Sequence, residues 1–445
     1  MRVVKYFSVI PLIIMGLLVF AACRGVTETG SDSASPYTAT YSQQQSQASI
    51  FYTPAPPNEG GIPTPSPAPA SDTTAVVTPP PRENPCFRCD SEDWIASLTL
   101  HEQIGQLIMP RLPWQTTQVG PALENWLAEY PVGGIILFAD NVTSIQQVQA
   151  LTADLQAASS HPLFIAIDEE GGRVSRVGRL FDDGNFPILP AYEIGRSNDA
   201  NMAYNTARII GERLISLGIN MNFAPVADVW TNPANTVIGN RSFGNCPDLV
   251  SMMIESAVAG FRTAGVLSVV KHFPGHGDTY EDSHYLLAVY PHNRERFDQI
   301  EAPPFIRGIE AGTDGVMIGH IATPQLQNLT ALLDWMEPWL ASGTLPATFS
   351  DFWLQDVLRG EMGFDGLIIT DALEMRALSD HFTPEQVAVG VFMAGADILL
   401  MPTDVSRTFN AMLAAYNDGV FDDERLHQSL RRIYLAHQNL ADMHQ

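Results

Sequence analysis

Between positions 271 and 284 the chain reads Lys271-His-Phe-Pro-Gly-His-Gly-Asp-Thr-Tyr-Glu-Asp-Ser-His284. Pro274, Gly275 and Gly277 break any regular element there, so the histidines and carboxylates sit on a loop. Three readings fit this composition. A metal site could draw on His272, His276, Asp278, Asp282 and His284, but its one His-x3-His pair spans a Pro-Gly turn and does not share a helical face. A loop that is polar merely because it is exposed is the second. The third is acid/base chemistry, in which a carboxylate beside a histidine orients the imidazole and favours its protonated form.

Elements that would position such a loop are visible on both sides of it. From about residue 92, apolar runs of four to eight residues alternate with amphipathic stretches, as in repeated strand-helix units around a buried parallel sheet. The runs 106–109, 134–138, 163–168, 221–228, 267–273, 315–320, 366–371 and 398–401 read as eight strands. Asp168, Asp228, Lys271 with His272, His320 and Asp371 stand at or just past their C-terminal ends. In a TIM-type (β/α)8 barrel all these ends share one face, and the active site is built there; in an open doubly wound sheet only the switch point gathers them. Helix N-caps account for one or two of the aspartates but not for lysine and histidine as well.

The bulk properties restrict the partners. A formal charge of −25 repels a phosphate backbone, so no nucleic acid is expected to bind. Residues 1–22 carry Arg2 and Lys5, an apolar run and a small Ala21-Ala22 pair before Cys23, the layout of an export signal. Phe-Ala-Ala-Cys23 resembles a lipobox, which implies acylation of Cys23 and a membrane-anchored, extracytoplasmic lipoprotein that touches the membrane only through this anchor; a plain signal peptide is the alternative. Residues 23–90 are rich in Ser, Thr and Pro and too poor in large apolar side chains to offset their ordering entropy, so they read as a disordered tether. A catalytic domain is expected over 91–445, acting as a monomer. In an oxidising compartment Cys86, Cys89 and Cys246 suggest a disulfide involving the Cys86-Phe-Arg-Cys89 turn.

The 271–284 segment resembles glycoside hydrolase family 3, in its NagZ-like β-N-acetylglucosaminidase branch. The resemblance extends to Asp168-Glu-Glu-Gly-Gly-Arg-Val-Ser-Arg176, Asn222-Phe-Ala-Pro-Val-Ala-Asp228, Ile238-Gly-Asn-Arg-Ser-Phe-Gly244 and Gly366-Leu-Ile-Ile-Thr-Asp-Ala-Leu-Glu-Met375. It implies a retaining exo-acting hydrolase that removes terminal β-linked N-acetylglucosamine from peptidoglycan fragments or chitooligosaccharides, without metal or organic cofactor. By the same resemblance Asp371 is the nucleophile, and His284, backed by Asp282, is the general acid/base; Asp282 and His284 lie two residues apart on an irregular loop and meet only if the chain turns back, and His276 is the fallback acid. Asp168 would accept hydrogen bonds from sugar hydroxyls, and Arg176, Arg241, Lys271 and His272 would donate around the sugar and its acetamido group. The bland alternatives are a helix cap for Asp371, and loop anchoring for Arg176 or Arg241 by pairing with Glu169 or Glu170. Two other functions remain open at this point: a β-N-acetylglucosaminide phosphorylase and a non-catalytic surface sugar-binding lipoprotein.

Overall fold

A computed structural model describes residues 91–444 except 114, 183, 185–187 and 327–332. The export signal, Cys23, the tether and the Cys86/Cys89 turn lie outside the described residues; Cys246 immediately precedes the helix Pro247–Ala264.

Ten strands follow one another along the chain: β1 Ile108–Met109, β2 Gly134–Leu137, β3 Phe164–Ile167, β4 Met221–Asn222, β5 Leu267–Phe273, β6 Ala288–Val289, β7 Gly315–Ile318, β8 Ile321–Ala322, β9 Leu367–Thr370 and β10 Leu399–Leu400. Six of them form one parallel sheet in the order β2-β3-β4-β5-β7-β9, and β1 pairs in parallel with β10. Single bridges, Arg111 to Ile136 and Ile369 to Ile398, link that pair to both edges of the sheet. β6 and β8 make a small separate pair beside the 271–284 loop. The architecture is α/β. β2, β3, β7 and β9 are buried along their whole length, which is why their sequences are unbroken apolar runs and not alternating ones.

Most of the expected runs are strands, but several stop early. The run 221–228 is a strand only at Met221–Asn222, since Pro225 has no N–H to give the ladder; Val226 regains a single bridge to Lys271. The runs 315–320 and 366–371 end at Ile318 and Thr370. His320 and Asp371 therefore stand just beyond their strands, where the backbone is free to turn the side chains onto the sheet's end. Between β5 and β7 the register shifts between Val270 and Phe273, at the point where Lys271 and His272 must be presented.

Helices cover the sheet from outside. Asp199 caps the helix Ala200–Ser216, which packs on Pro247–Ala264. The approach is close enough that a Cβ on Gly260 would lie 2.3 Å from the Tyr204 carbonyl oxygen. Near the start of β10, remote from the polar strand ends, buried Asp397 accepts from Arg359 at 2.7 Å, Ser429 at 2.6 Å and the Ile368 N–H at 2.9 Å, pinning the C-terminal helix Asp423–Met443 to the sheet.

Candidate active site

The C-terminal ends of β3, β5, β7 and β9 bring together the residues singled out in the sequence. Just past β3, Asp168 accepts from Lys271 Nζ at 2.6 Å. Lys271 also contacts Glu170 at 2.7 Å. Glu170 in turn receives Arg241 through two bonds, Nε at 2.9 Å and Nη2 at 2.8 Å. Burial alone would raise the Glu170 carboxyl, but the Arg241 and Lys271 cations hold it far below the usual carboxylate range. The same carboxylates raise Lys271 against its own burial. Arg241 thus takes the loop-anchoring partner expected as its alternative role, while its Nη2 also lies 3.4 Å from His272 Nε2 at the site.

Arg176 is different. Its backbone N–H donates to Glu169 at 2.5 Å, its guanidinium lies 5.6 Å over the Phe138 ring, and its buried Nε has no hydrogen-bond partner. Glu169 is consumed locally: Ser175, Arg176 N and Val177 N all donate to it, so it shapes the loop after β3 while burial pushes its carboxyl up.

Asp228, fully buried, organises two histidines. It receives His272 Nδ1 at 2.7 Å and the backbone N–H of His276 at 2.6 Å. The His276 imidazole is held by Thr279 at 2.6 Å and Ser283 at 3.1 Å, and its burial brings it down to about 4. With both ring nitrogens engaged and the ring neutral, His276 is a strut of the loop and is not the fallback acid that its sequence position allowed.

Asp371 follows β9. Its N–H donates to the Ile318 carbonyl at 2.8 Å, and its Oδ1 accepts from Ala372 N at 2.8 Å, so it does cap the turn that follows. Burial raises the carboxyl, but His272, His320, the Ala372 N–H and His284 together bring it from 3.8 down to about 2. His320 donates to or accepts from Thr348 at 2.7 Å and contacts the Ala372 carbonyl at 3.0 Å, which fixes its ring beside that carboxylate.

The loop does turn back. Asp282 Oδ1 accepts from the His284 backbone N–H at 2.9 Å and lies 2.8 Å from His284 Nδ1. The His284 carbonyl accepts from Arg376 N at 3.4 Å, docking the loop onto the segment after Asp371. An Nδ1–H pointed at the carboxylate leaves Nε2 free to carry the exchangeable proton. The His284 side chain is 61 % exposed and is among the neighbours that help lower the Asp371 carboxyl. Among the described residues no group of three or more His, Cys, Asp or Glu side chains converges to hold a metal ion.

A further polar cluster anchors the loop base. Thr231 donates to Asp278 at 2.6 Å, His292 pairs with the other Asp278 oxygen, and Arg296 lies 3.2 Å from Asp278 and 3.4 Å from Glu301, which Tyr290 Oη contacts at 2.6 Å. Burial pushes Glu301 up to about 7 against the Tyr290 and Arg296 interactions. A carboxyl raised on folding binds its proton more tightly in the native state, so stability is lost as pH rises from the ordinary 4.5 through about 7. Glu301→Gln is therefore expected to remove a pH-dependent loss on the order of 3 kcal/mol across that window, read from urea midpoints at pH 5 and 8. Equal pH slopes for the two proteins would contradict this.

Fold and site together define a class: a parallel α/β sheet with carboxylates, cations and paired histidines gathered at its strand ends, a composition suited to proton transfer on a polyhydroxylated substrate. The chain belongs to glycosyl hydrolase family 3, matching the description "Glycosyl hydrolase family 3 N terminal domain" over residues 99–436. It is 40 % identical over 335 residues to Beta-hexosaminidase A of Pseudoalteromonas piscicida, covering 71 % of this chain and 55 % of that protein. Against the Beta-hexosaminidase of Chromobacterium violaceum it is 36 % identical over 318 residues, covering 69 % and 83 %. Among solved structures it is similar to a glycoside hydrolase family 3 beta-N-acetylglucosaminidase from Paenibacillus sp. str. FPU-7, at 39 % identity and a TM-score of 0.70, covering 77 % of this chain and 63 % of that one. The chain thus spans less than two thirds of the length of two of these relatives.

Sequence reasoning placed Asp168, Lys271, His272, Asp282, His284, Arg241 and Asp371 near one another, and the structure does so. It assigned no individual role to Asp228 or His320, and offered Glu170 only as an alternative partner for an arginine, not for Lys271. Their strand-end positions were visible, but which side chains they hold depends on contacts across the sheet.

Proposed function

We propose that this chain is a retaining exo-β-N-acetylglucosaminidase acting on terminal β-linked N-acetylglucosamine in peptidoglycan fragments or chitooligosaccharides. The observation that carries it is a carboxylate kept ionised at Asp371 with an imidazole oriented by Asp282 at His284 among its neighbours. Asp371 attacks the anomeric carbon while His284 Nε2 gives its proton to the departing oxygen; water then attacks the same carbon, His284 takes its proton, and Asp371 leaves. Asp168, Lys271, Arg241, His272 and Arg176 bind the sugar. The names of the similar proteins support the substrate class.

The strand order, linked at both edges by single bridges, supports reading residues 91–445 as one (β/α)8 barrel. Ahead of it we place a lipoprotein signal, acylation at Cys23 and a Pro-rich tether, giving a monomeric enzyme outside the cytoplasm.

The test is a panel of aryl β-N-acetylglucosaminide and aryl β-glucoside, with and without phosphate. Turnover of the amino sugar to free N-acetylglucosamine is expected. Preference for the glucoside refutes the substrate, release of sugar 1-phosphate refutes hydrolysis in favour of phosphorolysis, and binding without turnover refutes catalysis.

A further inference from the structure

Among the described residues, the large apolar side chains most open to solvent are Tyr280 at 72 %, Leu286 at 63 % and Tyr285 at 61 %. They lie within seven residues of one another, on the same loop as Asp282 and His284. A single exposed apolar side chain is ordinary, but three on one turn form a patch that calls for a cause.

Holding the loop is not that cause. Its backbone is closed by Tyr285 N and Leu286 N, both donating to the Asp282 carbonyl at 2.9 Å. It is fixed to the body by Ser283 on His276, by the His284 carbonyl on Arg376 N, and by Asp278 on His292. Every one of these ties is polar. The three apolar side chains contribute to none of them and stay in water.

Chemistry places something next to them. If His284 protonates the glycosidic oxygen, the group on the far side of that oxygen must lie against the residues that flank His284. A pyranose in a β-linked chain presents a face of C–H bonds, which an aromatic ring covers while its hydroxyls remain solvated. The acidic side chains of the turn are Glu281 and Asp282, and these two carboxylates beside the exposed rings disfavour an anionic ring.

We propose that Tyr280, Tyr285 and Leu286 form the leaving-group subsite, which takes a neutral amino-sugar ring, the second residue of a β-linked oligosaccharide. This rests on the glycosidase reading above, adds the part of the substrate that departs and, of the two substrate classes named there, favours chitooligosaccharides over peptidoglycan fragments, whose second ring carries a carboxylate ether. The loop then has two tasks, proton delivery and recognition of the group that receives the proton.

The experiment compares N-acetylglucosamine disaccharide with β-N-acetylglucosaminyl azide, whose leaving group has no ring. In Tyr280→Ala/Tyr285→Ala the ratio of kcat/KM for disaccharide to that for azide should fall about tenfold, while the double Phe variant, which keeps both ring faces, should hold the ratio within about twofold. An unchanged ratio in the Ala variant overturns the subsite. So do equal losses on both substrates, which would report a collapsed loop. A disaccharide whose second ring carries a carboxylate ether should be the poorer substrate, and the reverse order overturns the neutral-ring assignment. Wild-type protein inert on disaccharide and azide alike overturns the glycosidase reading itself, and this inference with it, before any variant is made.

Discussion

Asp371→Ala is expected to lower kcat by at least about 10⁴-fold, roughly 5 kcal/mol of transition-state stabilisation, on every glycoside whatever its leaving group. The group lost is the one that makes a bond to the anomeric carbon, and no neighbour can take its place: Asp168 is committed to Lys271 and Asp228 to two histidines. Its carboxyl, held at about 2, is ionised throughout the neutral range, so the wild-type enzyme should show no loss of nucleophile on mild acidification. The depressed value also means that its charge stabilises the fold above 3.8, a contribution lost as pH falls through about 2. Asp371→Asn keeps the volume and the contact to Ala372 N, and circular dichroism on it separates loss of chemistry from loss of fold. Residual activity within tenfold of wild type in both variants would remove Asp371 from the mechanism.

His284→Ala is expected to cost about 10² to 10⁴-fold in kcat/KM on the natural oligosaccharide and far less on an azide or dinitrophenyl glycoside, whose leaving groups depart without a proton. The contrast between substrates is the diagnostic. A histidine with a merely structural role would, on removal, harm all substrates alike. Asp282→Asn should follow the same pattern more weakly, because it removes the negative charge beside Nδ1 while leaving an oxygen acceptor and the ring in place. Uniform losses across leaving groups would sink the assignment and return attention to the loop's packing.

Much of this site was legible because short-range grammar carries it. The dense 271–284 segment, the Pro-Gly breaks and the apolar runs ending in charge are all local, and the contact between Asp282 and His284 needs only a loop that turns back. The missed features are those whose meaning lies far along the chain. Asp228 holds groups 44 and 48 residues away, and the Lys271 ammonium reaches Asp168 across 103 residues. Nothing local distinguishes such a carboxylate from a helix cap. His276 shows the converse failure: its composition suited acid catalysis, but complete burial between Thr279 and Ser283 reserves it for holding the loop. The fourth run was overextended because its apolar texture continues through Pro225, where the ladder cannot.

Asp282 binds both the backbone and the ring of a residue two positions on, so the tautomer of the imidazole is set inside a three-residue unit and not by the surrounding walls. Such a unit is portable: lengthening or shortening the arms on either side would relocate the proton source as an intact cartridge. Descendants of this scaffold could thereby acquire wider or narrower entrances without retuning the acid.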